Sequence, residues 1–307
     1  MTKPFFVLAM SVCIVAGTGC LKQTRIERVL PTPQATATLD ELIGKLKTFG
    51  DIHTMKSTVE MRLSVAMDQK KTRAKPGKGK NKIREVQEFT EVSGFILIER
   101  PNKIRTVAEV PLVRSTAFDM VSDGIEFKVH IPTKNKFLLG HTMMHGSPQE
   151  RIDRVRPQHL LEAILLDPPR DDEPYRMVEN FLFGKRSYQI IHLMSSDQDG
   201  KLTLSRKIWF DRAGFYVVRV QGFDNLGNLV ADISYTGWSE TKGLPYPETV
   251  FLSRPQDGYE VQIRIVEPGL NESLSERSFE LIPPKGIKIE RIGKSRETPV
   301  EETEQRD

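Results

Sequence analysis

Hydrophobic and polar positions along this chain change period several times, and each change marks an element. Leu39, Leu42, Ile43 and Leu46 recur at helical spacing. Thr38-Leu-Asp-Glu41 precedes them as a capping box, with Thr38 as N-cap and Glu41 reaching back. The pattern predicts a short amphipathic helix that ends near Gly50. The period then falls to two. In STVEMRLSVAM, Val59, Met61, Leu63, Val65 and Met67 alternate with polar residues, which predicts a strand with one buried face. A second strand, roughly Val86 to Glu99, holds the apolar run Phe95-Ile96-Leu97-Ile98. KIRTVAEV, STAFDMV, IEFKVHI and KFLLG follow at short intervals, with Asp123-Gly124 as a hairpin turn. Ser147-Pro-Gln-Glu150 is a second capping box with Pro148 at the first helical position. PQHLLEAILL then sets Leu160, Leu161, Ile164 and Leu165 at helical spacing, and DPPRDDEP ends that helix. Strands resume with YQIIHLM, KLTLSRKIWF, FYVVRVQGF, LVADISYTGW, TVFLSR, YEVQIRIVE and SFELI, joined by DQDG, DRAG, DNLG and PQDG turns.

Consecutive short connections force antiparallel pairing. About a dozen strands in one sheet must curl. The two amphipathic helices are the available cover for the concave face. The expected fold is therefore mainly β: a curved antiparallel sheet, an unclosed half-barrel, with short helices lidding the hollow. A hollow closed in this way leaves an apolar cavity suited to a greasy ligand. Its lining is expected from Phe95, Leu97, Leu160, Leu161, Ile164 and Leu165. Residues 38–290 form this domain, and the polar stretch 291–307 reads as a disordered tail.

Composition narrows the partners. The 307 residues are 38% hydrophobic and 28% charged, as in globular proteins. A net charge of +4 is too mild to imply nucleic acid, and no nucleic-acid-binding motif occurs. Both cysteines lie near the start, in FFVLAMSVCIVAGTGCLKQ. Lys3, the apolar run Phe5 to Ala16 and Gly17-Thr18-Gly19 have the layout of a secretory signal peptide over residues 1–19. The apolar run is shorter than the roughly 20 residues of a membrane-spanning helix. Cys13 would leave with the signal, so no intramolecular disulfide is available to the mature chain. Cys20 stands at the cleavage position and resembles the acceptor cysteine of a bacterial lipoprotein lipobox, although Gly17 replaces the usual Leu. That resemblance implies acylation of Cys20, a tether over residues 20–37, and a place in the bacterial envelope. Leu21, rather than Asp, after the Cys leans toward the outer membrane.

Candidate chemistry is sparse. His141 and His145 would share a helix face, but they follow a strand end with no third ligand and read as a surface loop. Asp171-Asp172-Glu173 lacks the order of a calcium loop and reads as solvated. Asp197-Gln-Asp199-Gly200 reads as a turn. No nucleophile elbow, zinc-protease motif or phosphate loop occurs, so neither catalysis nor a cofactor is expected. Between the first two strands lie Lys70, Lys71, Arg73, Lys75, Lys78, Lys80 and Lys82 among glycines and a proline. This basic hairpin suits either anionic headgroups or plain solvation.

Four segments together resemble the LolA and LolB group. GFILIERPNKIRTVAEVP from Gly94 is similar to its strand and Arg-Pro turn, and FDMVSDGIEFKVHIPTKNKFLLG from Phe118 to the segment after it. RPQHLLEAILLDP resembles the helix that partly plugs the cavity, and FELIPPKG from Phe279 the closing strand. The resemblance covers roughly residues 39–288. It implies an open barrel of about eleven antiparallel strands that binds acyl chains, and hence a lipid or acylated lipoprotein as cargo, with Cys20 as the membrane anchor. A second reading keeps the fold but gives it an envelope protein as partner, with the cavity filled by the protein's own side chains.

Overall fold

The computed structural model describes residues 36–66, 86–88, 91–110, 115–142 and 155–292. Helix α1 (Leu39–Gly50) starts as its capping box dictates: Thr38 Oγ1 accepts the Glu41 N–H at 3.3 Å, and the Glu41 carboxylate accepts the Thr38 N–H at 2.7 Å. Its buried stripe is Leu42, Ile43, Leu46 and Phe49. Strand β1 (Thr54–Ala66) follows, with β2 (Val86–Glu88) and β3 (Val92–Glu99) paired antiparallel to it. β4 (Lys103–Glu109), β5 (Thr116–Ser122), β6 (Glu126–Ile131) and β7 (Lys136–His141) continue from β3 as a meander. Helix α2 (Pro157–Ile164) then crosses to the second half. There β8 (Tyr175–Phe183), β9 (Arg186–Ser196), β10 (Leu202–Asp211) and β11 (Val217–Phe223) lead into β12 (Leu229–Thr241), β13 (Leu244–Arg254) and β14 (Tyr259–Leu270).

β14 returns to pair with β1, so β1 joins the two meanders into one sheet. The order is β15-β7-β6-β5-β4-β3-β1-β14-β13-β12-β11-β10-β9-β8, with β15 (Lys288–Ile292) at one edge and β8 at the other. The sheet is open, not closed into a barrel. Both helices lie on one face of it, and their apolar stripes join inward strand positions of both meanders in a single core. The alternation read in β1 holds: Val59, Met61 and Val65 are buried and Leu63 is packed against them. Met67 lies outside the described residues, as does the capping box at Ser147.

Three expectations need correction, and one strand was not foreseen. Strand β8 had no clear alternation to announce it, because it is an edge strand whose Tyr175 and Met177 stay exposed. SFELI is not a strand: Glu276–Phe279 is a 3-10 turn, and the chain beyond it crosses the outer face of the sheet. There Phe279 and Leu281 pack with Val121 and Phe137, while Arg105 donates to the Ser278 and Glu280 carbonyls. β4 is already paired on both sides, so this segment has no edge to join. The closing strand is instead β15, two residues longer than the boundary at 290, and it pairs with β7 in parallel. The crossing of the outer face is long enough to permit that direction. Finally, Glu173 is not solvated; it is fully buried.

Candidate functional site

An apolar cavity of about 210 Å³ lies between the first meander and α2. Strand alternation builds its wall, since every second side chain faces inward. β1 contributes Met61 and Leu63, β5 Phe118 and Met120, β6 Val129 and Ile131. Leu160 of α2 closes the side opposite the sheet. Among the described residues, the only polar side chains in the lining are Thr133 and Lys134, both in the 3-10 turn Pro132–Lys134 between β6 and β7. Such a site offers an apolar guest little beyond surface burial, worth about 25 cal/mol per Å².

The expected lining residues divide. Leu160 lines the cavity. Leu161, Ile164 and Leu165 are buried in the adjoining core and hold α2 against the sheet. Phe95 and Leu97 do not face the hollow. Ile96 and Ile98 belong to the inner core, so Phe95 and Leu97, one residue out of phase, project from the outer face, and Phe95 is 38% exposed. The continuous run Phe-Ile-Leu-Ile hid the phase. Gly94 marks it: a Cβ there would lie 1.9 Å from the Val107 carbonyl oxygen, so β3 and β4 approach too closely for any side chain. Met61, Phe118 and Val129 were legible as alternating positions but not as the inward set. Cys20, His145 and the basic hairpin from Lys70 to Lys82 lie outside the described residues. His141 ends β7, 3.7 Å from Glu126.

Polar groups pin α2 in place. Tyr235 donates to the Ala163 carbonyl at 3.0 Å, and Gln158 donates to the Asn102 carbonyl at 3.1 Å. His159 Nδ1 meets the Tyr259 hydroxyl at 2.5 Å. Burial, reinforced by Arg254 and Arg156, holds His159 well below the usual imidazole range, so it is neutral near pH 7. Burial likewise pushes Tyr235 and Tyr259 up, keeping both hydroxyls protonated donors. After α2 the chain is clamped twice. Arg100 binds the Leu166 carbonyl and the Asp167 carboxylate, and Arg206 binds the Asp167 and Pro168 carbonyls. Arg206 also forms a bidentate pair with buried Glu173, whose Oε1 accepts from Ser205 as well. Burial alone would raise the Glu173 carboxyl; Arg206 and Ser205 outweigh it and bring it down to about 2.

Several solved structures are similar to most of the chain at low sequence identity. A LolA superfamily protein from Nitrosomonas europaea matches with a TM-score of 0.47 and 12% identity, over 80% of this chain and 99% of that one. A DUF1329 family protein from Desulfovibrio piger gives 0.49 and 13%, over 78% and 95%. A domain proposed to sort outer membrane lipoproteins, from Vibrio parahaemolyticus, gives 0.43 and 14%, over 78% and 94%. No family model and no curated protein sequence matches the chain.

Proposed function

We propose that this protein is an acyl-anchored envelope lipoprotein that binds an acyl chain of a lipid or lipoprotein in the cavity beneath α2, without catalysis. The observation that carries the reading is the lining: among the described residues, thirteen of its fifteen are apolar, from β1, β3, β5, β6, β7, β14, α2 and neighbouring segments. At about 210 Å³ the cavity has room for roughly seven water-sized volumes of about 30 Å³ each. It lies below the ~300–1,000 Å³ of drug-sized sites. One short acyl segment fits; a complete chain requires α2 to give way. Cys20 holds the anchor in this reading, and the Lys70 to Lys82 hairpin is a candidate for headgroup contact. The supporting experiment purifies the protein without its anchor, extracts it and identifies by mass spectrometry what co-purifies. A stoichiometric acyl lipid is the expected result. A stable domain that never retains lipid, even when offered it, would sink this reading and favour a protein partner with a self-filled cavity.

A further inference from the structure

Phe183 is 71% exposed and Leu182 is 54% exposed, side by side at the tip of the β8–β9 hairpin. Scattered apolar residues on a surface are ordinary, but this pair sits where turns are normally polar. Successive strand residues face opposite sides, so the tip presents an apolar group on each. The next two non-glycine residues, Lys185 and Arg186, are exposed and make no ion pair among the described residues. On the outer face Phe183 extends a row of aromatics: Phe181 packs edge-on to Trp209 at 5.5 Å, and Tyr188 does so at 5.8 Å.

A second observation locates this tip relative to the tether. The first described residues, Thr36 and Ala37, are held by β9 and the β10–β11 turn. Gln189 of β9 exchanges two hydrogen bonds with the Ala37 backbone, at 2.9 and 3.0 Å, and Arg212 donates to Thr36 Oγ1 at 2.9 Å. Arg212 also donates to Ser187, which pairs with Leu182 across the hairpin. The chain from Cys20 therefore enters the domain beside the β8–β9 turn. The sixteen residues from Leu21 to Thr36 reach roughly 55 Å at most.

We propose that the β8–β9 turn is a membrane-docking wedge: Leu182 and Phe183 enter the headgroup region of the bilayer that holds Cys20, and Lys185 and Arg186 contact its anionic lipids. The proposal rests on Cys20 being the anchor. Aromatic and aliphatic tips flanked by cations have the composition of interfacial anchors, and each cation near an anionic surface strengthens association about fivefold. Turns alternate between two rims of the sheet, so the root of the basic hairpin, Ala66 and Val86, lies at the rim opposite this wedge.

The test uses the acyl-anchored protein in vesicles of phosphatidylethanolamine and phosphatidylglycerol with doxyl-labelled chains. With Cys20 acylated, Phe183→Cys supplies a single thiol for an environment-sensitive fluorophore. Leu226→Cys, at 86% exposure in the β11–β12 turn of the other rim, is the control. A blue-shifted emission at 183 quenched several-fold more than at 226, and weakened by Lys185→Gln with Arg186→Gln, is expected. Equal quenching at the two sites, or stronger quenching at 226, overturns the wedge. Intact mass of the same preparation reads the anchor separately, so a missing acyl group on Cys20 is distinguished from an anchored domain that does not dock.

Discussion

Glu173 carries a negative charge with no exposed surface, and the Arg206 guanidinium faces it with two parallel contacts. A buried pair of this kind adds little over an apolar pair, but removing one member strands the other in low dielectric, at about 3–5 kcal/mol. Glu173→Ala is expected to lose that much stability near pH 7, measured by urea unfolding. The pH dependence has a fixed sign. The folded carboxyl sits at about 2, below its ordinary 4.5, so as pH falls the unfolded chain takes up the proton first. The stabilisation is complete above about pH 4.5 and lost as pH falls toward about 2, roughly 3 kcal/mol in all. The variant's stability should therefore fall less steeply across that window than the wild type's; an identical slope would mean that Glu173 does not carry the acid sensitivity. This pair was not legible in Asp171-Asp172-Glu173. Among three acids in a row, only the packing of β10 selects the one that meets Arg206.

At the scale of elements, α2 both closes the cavity and is held by the sheet. Its apolar residues sit at helical spacing in the sequence, yet which of them faces the hollow depends on how the helix is rolled. Tyr235, Tyr259 and Asn102 set that roll through their hydrogen bonds to Ala163, His159 and Gln158. Leu160, only 2% exposed, is the residue turned to the cavity. Leu160→Ala should cost about 2–5 kcal/mol in denaturant unfolding, because the neighbouring wall cannot collapse fully into the gap. The same change enlarges the cavity, so the variant should retain longer or more acyl chain than wild type in co-purified lipid. Loss of stability with unaltered lipid capacity would assign Leu160 to the core alone. Strand β3 makes the complementary point: Ile96 and Ile98 face in and Phe95 and Leu97 face out, a choice its apolar run leaves open.

At the scale of the molecule, one continuous core runs beneath both meanders, and among the described strands only β1 pairs with each of them, through β3 and β14. Among the described residues, neither half has a separate inner core. Unfolding should therefore be a single cooperative transition. Trp209 and Trp238 both lie in the second meander, so their fluorescence reports that half while far-ultraviolet circular dichroism reports the entire sheet. Coincident midpoints are expected; a separate tryptophan transition would mean two folding units.

The sequence by itself determined the helices, most strands, the antiparallel meanders and the one-sided burial. These follow from local periods, caps and turns, which act over a few residues. It did not determine the phase of β3, the edge strand β8, the parallel return of β15 or the burial of Glu173. Each of those depends on what a segment meets from far along the chain: which face the helices occupy, which edges are already paired, and which cation lies opposite. Only the folded sheet brings those partners together, and that is also what makes the cavity under α2 and places the β8–β9 tip beside Thr36 and Ala37.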